Sequence, residues 1–222
     1  ALAHLDPPAL SASIVGELIC AGLNNNILAE ELSPSLSSLE RKLCEWFSNK
    51  LGLGSLSGGV LASGGSLSNL MALVVARNIA GLENDPNAVF FASEDSHVSL
   101  SKAVRIMGLN QDSLRKIPTD NEGKLNISIL SKMFNTIRSE GRKCFAVVST
   151  AGTTVRGAID PLSEIGELCR KENVWFHIDG AIGGIFALSE STSELVEGLA
   201  LANPVPVNPQ KLLGISKTSS LL

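Results

Sequence analysis

The chain has 222 residues, of which 44% are hydrophobic and 18% are charged, and its formal net charge at pH 7 is −4. This composition excludes a disordered chain, and the mild acidity gives no electrostatic basis for binding nucleic acid or an anionic membrane surface. Because there is no run of about 18 apolar residues and no basic leader followed by an apolar stretch, the sequence predicts neither a membrane span nor a signal peptide.

The first 34 residues are predicted to form an N-terminal arm. They mix polar and apolar residues and are interrupted by Pro7-Pro8 and by the run Asn24-Asn25-Asn26. A short helix is predicted within the arm at Ser13–Leu23. A capping box at Ser37-Ser38-Leu39-Glu40 then indicates the start of a longer helix, which Gly52 ends.

From residue 35 to residue 222 the pattern is typical of one large domain in which strands and helices alternate. The predicted strands are AVFFAS (88–93), LRKIPT (114–119), CFAVVST (144–150) and VWFHID (174–179), and the predicted helices cover 67–75, 97–107, 127–141 and 161–173. Continuous apolar strands are buried on both faces, so the sequence predicts an α/β fold with a mostly parallel sheet and helices on both faces. The last four residues resemble the first half of another strand.

Four cysteines, Cys20, Cys44, Cys144 and Cys169, show no CxxC spacing. They are interpreted as reduced core thiols of a cytoplasmic protein, so neither a disulfide framework nor a metal site is predicted from them.

Candidate site residues follow the ends of the predicted strands, which is where ligands bind in such sheets. Ser63-Gly64-Gly65-Ser66 precedes a helix, whose free N–H groups suit a phosphate. His97 follows the first strand, Thr153-Thr154 the third, and Asp179 ends the fourth. Each has a simpler interpretation: a glycine turn, a capping histidine, turn-forming threonines and a helix N-cap.

His177 lies two residues before Asp179 and on the same face of the strand. It is either a metal ligand beside Asp179 or a core histidine with a hydrogen-bond partner, and the second interpretation is favoured.

Taken together, an anion cradle, a histidine, a threonine, a buried aspartate and a lysine suit one cofactor, pyridoxal 5′-phosphate. In the segment VNPQKLLG, Lys211 is predicted to form a Schiff base with the cofactor's aldehyde. A dehydrogenase-type nucleotide-binding protein is the competing hypothesis, but it requires a GxGxxG motif that the sequence lacks.

Five motifs in this order and spacing resemble the group II pyridoxal-phosphate-dependent amino-acid decarboxylases: GGVLASGGSLSNLMAL, SEDSHVSLSKA, STAGTTVRGAIDP, VWFHIDGAIGG and NPQKLLG. That family includes glutamate, cysteine sulfinate, aromatic amino-acid and 2,4-diaminobutyrate decarboxylases. The resemblance implies a fold-type I large domain, an L-amino-acid substrate and a cytoplasmic homodimer. Gln210, where most members have histidine, is similar to the diaminobutyrate-type branch, so 2,4-diaminobutyrate or an acidic amino acid is the expected substrate.

The resemblance also implies a role for each matching position. The implied cofactor-binding residues are Gly65, Ser66, His97, Thr154, Asp179, Ala181, Asn208 and Lys211. Among them, Lys211 carries the cofactor, His97 stacks on its ring and Asp179 pairs with its pyridine nitrogen, and these three are the implied catalytic residues.

Two departures from the family pattern support an alternative hypothesis. Pro204 and Pro206 stand just before the lysine motif, where members usually carry alanine-aspartate-serine and an aromatic residue. Members also continue into a small C-terminal domain, which the resemblance implies is absent here. The alternative is a truncated, catalytically impaired remnant that binds only the cofactor or a partner subunit. An aminotransferase on the same fold is a further possibility.

Overall fold

The computed structural model describes residues 7–217 and 219–222. The first six residues of the predicted arm lie outside the described residues. The α-helices are α1 (Ser11–Leu23), α2 (Pro34–Leu51), α3 (Gly65–Ile79), α4 (Ser99–Ile106), α5 (Ile127–Ser139), α6 (Leu162–Glu172) and α7 (Pro209–Leu212). The strands are β1 (Leu61–Ala62), β2 (Val89–Ser93), β3 (Leu114–Ile117), β4 (Cys144–Thr150), β5 (Trp175–Asp179) and β6 (Ser220–Leu221).

The central sheet is parallel, with strand order β3-β2-β4-β5, and β1 pairs with β6 in a short antiparallel sheet. An extended segment at 203–207 lies between the two. Its Asn203 N–H donates to Phe176 O (2.8 Å), and Val207 exchanges two hydrogen bonds with Leu221. The two prolines of this segment lack an N–H, yet Pro204 O still accepts a hydrogen bond from Ile178 N (3.3 Å). The predicted α/β architecture, a mostly parallel sheet between helices, is confirmed.

Alternating residues of each strand separate the core into two layers. On one face, Phe91 and Val147 pack with side chains of α2, α5 and α6. On the other face, Phe90 and Val148 pack against α3 and α4. Because side chains alternate along a strand, His177 and Asp179 point to the α3 side, whereas Ile178 belongs to the opposite layer.

Some local predictions were wrong. Helix α2 begins at Pro34 rather than at the predicted capping box, because proline suits the first helical position, where no N–H partner is needed. The Glu40 carboxylate of that box accepts instead from Leu61 N at 3.1 Å. His97 precedes α4 rather than lying within it, and neither β1 nor α7 was predicted.

All four cysteines are free, in agreement with the absence of a disulfide framework, and Cys44 and Cys169 are buried. Cys20 is exposed on α1, so the prediction that it is a core thiol was wrong. Within residues 7–217 and 219–222, no three His, Cys, Asp or Glu side chains cluster in a way that could hold a metal ion. In the same ranges, no helix combines the length and apolar character needed to cross a bilayer.

Candidate active site

A cavity of about 440 Å³ lies at the carboxyl ends of β4 and β5, beside the N-terminus of α3. The structure brings all the predicted site residues to its wall: Gly65, Ser66, His97, Thr154, Asp179, Ala181, Asn208 and Lys211. These positions come from five separate stretches of the chain, which the parallel sheet and its crossover helices gather at one edge.

One end of the cavity is formed by the first turn of the 15-residue helix α3, which begins at Gly65. A Cβ atom at this glycine would lie 3.0 Å from Asn208 Nδ2, so a larger residue would press on the buried Asn208 side chain. The Ser220 hydroxyl donates to Asn208 Oδ1 at 2.8 Å, so the amide N–H₂ of Asn208 is the donor that this side chain can offer beside Gly65. Backbone N–H groups of a helix start and a side-chain amide donor are groups that can bind an anion.

Asp179 ends β5 and is 6% exposed. Its Oδ2 accepts from Asn69 Nδ2 at 2.8 Å, and its Oδ1 accepts from the backbone N–H of Ala181 at 3.2 Å. Two donors hold the carboxylate in place, since a buried carboxylate without hydrogen bonds would be costly. Its remaining lone pairs can serve a cation in the cavity.

The imidazole of His177 is fully buried beneath this carboxylate. His177 Nε2 and Asn69 Oδ1 are 2.8 Å apart, and the amide oxygen can only accept, so the imidazole donates. Burial lowers the pKa of His177 to about 4, against the opposing effect of Asp179, so the ring is neutral. The favoured interpretation of His177, a core histidine with a hydrogen-bond partner, is consistent with these contacts.

His97 lies between β2 and α4 and is held by the first residue of that helix. Ser99 contacts its Nδ1 twice, through the hydroxyl at 2.9 Å and through the backbone N–H at 3.2 Å. Burial lowers the pKa of His97 below its usual 6.5; Asp179 opposes this shift, and Lys211 and Lys102 reinforce it. At neutral pH the ring therefore faces the cavity without a charge.

The three threonines at and after the end of β4 have different environments. Thr154 lines the cavity and is exposed. Thr153 is buried, and its Oγ1 accepts from Ala158 N at 3.0 Å, which stabilises the loop. Thr150 is 5% exposed and lines the cavity, and its Oγ1 has no hydrogen-bond partner. A buried hydroxyl that lacks a partner and lines a cavity can form a hydrogen bond with a ligand there.

The loop that carries these threonines is tied to the sheet by Asp160. Its carboxylate accepts from Leu125 N and from Thr150 N, both at 2.8 Å. Burial raises the pKa of Asp160 from its usual 3.8 to about 6, although these two hydrogen bonds act in the opposite direction.

Lys211 sits in the short helix α7, whose first residue is Pro209. The side chain is half-buried and reaches the cavity wall. The neighbouring Gln210 also lines the cavity, and its Oε1 accepts from Ser219 N at 2.5 Å. The geometry therefore places an amine, a buried carboxylate and a neutral imidazole around one space.

Sequence reasoning missed two polar side chains of this wall, those of Asn69 and Thr150. Asn69 is one turn into α3, where a polar residue interrupts an apolar helical face, and this is the signal that could have identified it. Thr150 ends an apolar strand in the same way as Asp179 does. The register of β4 and β5 places Thr150 beside Asp179, and this register cannot be predicted from the sequence pattern.

The chain matches the family model described as "Pyridoxal-dependent decarboxylase conserved domain" over residues 5–222. It is 34% identical over 213 residues to the aromatic-L-amino-acid decarboxylase of Bacillus atrophaeus, covering 96% of this chain and 44% of that protein. It is also 34% identical over 225 residues to mouse cysteine sulfinic acid decarboxylase, covering 98% of this chain and 45% of that protein.

Among solved structures, the fold is similar to the glutamate decarboxylase domain of diaminobutyrate-pyruvate transaminase and L-2,4-diaminobutyrate decarboxylase from Vibrio parahaemolyticus. The TM-score is 0.94 at 28% sequence identity, and the match covers 99% of this chain and 50% of that one. The chain thus spans about half the length of the relatives that it matches.

Proposed function

The chain belongs to the pyridoxal-dependent decarboxylase family, and from that premise we propose that it forms the cofactor-binding part of an enzyme that removes the carboxyl group of an L-amino acid as carbon dioxide. The observation that carries this proposal is the convergence of Lys211, Asp179 and His97 on one cavity with an anion site at its end.

The residues of the cavity fit pyridoxal 5′-phosphate on three counts. The start of α3 and the amide of Asn208 offer neutral donors to a phosphate, and Gly65 leaves the space that a Cβ would fill. The hydroxyl of Thr150 lacks a partner. Asp179 offers a buried carboxylate to a protonated ring nitrogen.

When bound, pyridoxal phosphate supplies an electron-poor ring that accepts the electron pair left on the substrate after carbon dioxide departs. The chain's own side chains bind and orient. We propose that Lys211 carries the cofactor and that Gly65, Ser66 and Asn208 hold its phosphate. Asp179 would keep a proton on the ring nitrogen.

The other predicted residues would fix the ring between two surfaces. We propose that the imidazole of His97 stacks on one face and the methyl group of Ala181 packs on the other, while Thr154 and Thr150 lie near the ring's polar substituents. A neutral imidazole suits this place, because a flat ring stacks on a flat ring and a charged one would repel a cationic cofactor.

For the substrate we propose an amino acid with a short polar side chain, either 2,4-diaminobutyrate or an acidic amino acid. Gln210, a neutral donor and acceptor on the cavity wall, supports this choice. Cysteine sulfinic acid decarboxylase is among the similar proteins named above, and the Vibrio protein is named as acting on diaminobutyrate.

We also propose that the working enzyme is a homodimer. The support is an apolar surface on α1, which has no buried residue and sits beside the segment that follows Lys211. Leu10 N donates to Gly214 O at 2.8 Å, and the Ser13 and Ser216 hydroxyls are 2.9 Å apart. A second copy that covers this surface would lie close to the cavity.

Two measurements test the proposed function. The protein is incubated with pyridoxal phosphate, reduced with borohydride and digested, and the expected result is a pyridoxyl group on the peptide that contains Lys211. Carbon dioxide release is then measured with 2,4-diaminobutyrate, glutamate, cysteine sulfinate and tryptophan, and release is expected from at least one of the first three and not from tryptophan. No adduct at Lys211 would overturn the proposal, whereas an adduct without release from any substrate would favour a cofactor-binding remnant.

A further inference from the structure

A single buried hydrogen-bond network connects the carboxylate at the cavity with both described histidines. Asn69 is its centre: Nδ2 donates to Asp179 Oδ2 at 2.8 Å and to Ser99 Oγ at 3.1 Å, and Oδ1 lies 2.8 Å from His177 Nε2. The Ser99 hydroxyl also contacts His97 Nδ1, so the network extends to this second histidine. Asn69, Ser99 and His177 are each at most 2% exposed, so water does not compete for these contacts.

The donor and acceptor capacities allow one arrangement of protons in this network. A carboxylate cannot donate, so the amide N–H₂ of Asn69 must face Asp179 and its oxygen must face His177. The second amide hydrogen points at Ser99 Oγ, which therefore accepts from Asn69 and turns its own hydrogen toward His97.

The backbone acts on His97 in the same direction as the hydroxyl. The Ser99 N–H, which can only donate, lies 3.2 Å from His97 Nδ1, a longer contact than the 2.9 Å of the hydroxyl, and both contacts favour a lone pair on Nδ1. A proton on Nδ1 would clash with the backbone hydrogen of Ser99. The neutral ring then carries its proton on Nε2.

We propose that Asn69 and Ser99 are positioning residues that together fix His97 as the Nε2–H tautomer, so that this imidazole has an N–H donor for the ligand in the cavity. The amide of Asn69 also orients the Asp179 carboxylate. One side chain of α3 therefore orients both groups beside the ligand, Asp179 directly and His97 through Ser99. This inference deepens the proposed function and rests on it for the identity of the ligand, but the proton arrangement is a property of the chain itself.

The three histidines of the sequence make the proposal directly measurable, because each gives a separate pair of ring-nitrogen signals. The full chain is labelled with ¹⁵N-histidine, and proton–nitrogen correlation spectra are recorded from pH 4 to pH 8. His4→Gln and His97→Gln variants assign the signals. The expected wild-type result at pH 7 is a His97 ring with protonated Nε2 and unprotonated Nδ1.

Two variants separate the parts of the network. Ser99→Ala removes the hydroxyl donor to His97, so the Nδ1–H form of His97 should become detectable, with a several-fold change in tautomer ratio, while His177 stays unchanged. Asn69→Ala should move the signals of both His97 and His177, because it touches both branches. Ser99→Thr keeps the hydroxyl and should restore the wild-type His97 spectrum.

Matched controls on the same two helices are Ser101→Ala on α4 and Asn78→Ala on α3, both exposed, which should leave all ring signals in place. A proton on Nδ1 of wild-type His97, or an unchanged His97 spectrum in Ser99→Ala, would overturn the inference. If Asn69→Ala fails to fold, the comparison of Ser99→Ala with Ser99→Thr still tests the inference.

The borohydride experiment tests the proposed function separately. A chain that binds no cofactor yet keeps the Nε2–H form of His97 would refute the proposed function and leave the inference about the network intact.

Discussion

Thr150 and Asp179 are paired residues on the neighbouring parallel strands β4 and β5, and both side chains line the cavity on the α3 side of the sheet. The carboxylate is satisfied by two donors, whereas the hydroxyl beside it has no partner. We therefore expect the Thr150 hydroxyl to form a hydrogen bond only when a ligand occupies the cavity.

Thr150, at the end of β4, and Thr153, in the loop that follows, differ in whether their hydroxyls have a partner. Thr150→Val removes a buried hydroxyl that lacks a partner, so the free energy of unfolding without cofactor should rise by about 1 kcal/mol, while the dissociation constant for pyridoxal phosphate should rise about tenfold. Thr153→Val removes the acceptor of the Ala158 N–H and should lower the free energy of unfolding by about 1–2 kcal/mol. Urea denaturation and fluorescence titration measure both; equal destabilisation by the two variants would contradict the orphan status of Thr150.

Lys211→Ala should abolish the borohydride-fixed adduct and leave the fold intact. The lysine is half-buried at the cavity wall and is absent from both apolar core clusters, so the midpoint of thermal unfolding should change by no more than about 2 °C. Lys132→Ala, at an exposed position of α5, is the control and should keep the full adduct. An adduct that survives in Lys211→Ala would assign the amine to another lysine.

The sequence predicted the parts of the fold that depend on local pattern. The short apolar runs of β2, β4 and β5, rich in Val and Phe and bounded by polar residues, are typical of buried strands, and ligands bind at the ends of such strands. Thus Asp179 and His97 could be placed at one edge before the structure was known.

The parts that depend on distant partners could not be predicted. Strand β1 has two residues and exists only because Leu61 pairs with Leu221 at the other end of the chain. The role of Asn69 likewise requires α3 to lie across β5, so that one amide reaches both Asp179 and His177. A helical pattern shows a polar residue on a buried face, but it does not show what that residue contacts.

Asp179→Asn should impair turnover far more than it impairs folding. The new amide would place a donor against Asn69 Nδ2, or break the contact to Ala181 N, and it would remove the negative charge that we expect to face the ring nitrogen. We expect carbon dioxide release in an active preparation to fall by several orders of magnitude, and cofactor affinity to fall about 10²-fold, as for the loss of a buried charged hydrogen bond. Glu197→Gln, an exposed carboxylate, is the control; near-full turnover in Asp179→Asn would refute the role.

Asp160 should give the stability of the protein a specific pH dependence. Its pKa is about 6 in the fold, above its usual 3.8, so proton binding favours the folded state. The stabilisation from this group is therefore complete below pH 3.8 and is lost as the pH rises through 6. Relative to Asp160→Asn, which does not titrate, wild type should lose about 3 kcal/mol between these limits. Urea denaturation of both proteins from pH 4 to pH 7.5 measures the difference, and a constant gap would contradict it.

The last prediction concerns the surface of α1, where Ile14 is 57% and Leu18 72% exposed. Contiguous apolar side chains of this kind promote association, and we expect the chain to elute from a sizing column as a dimer or larger species. Leu18→Lys places a charge in the middle of the patch, so at the same concentration it should shift the protein toward the monomer. Glu190→Lys, at an exposed position far along the chain, adds a lysine outside the patch and should leave the elution unchanged. Because α1 is hydrogen-bonded to the segment after Lys211, a second copy bound at α1 would lie near the cavity, and Leu18→Lys should then also weaken cofactor binding. A wild-type chain that elutes as a monomer would rule out association through this helix.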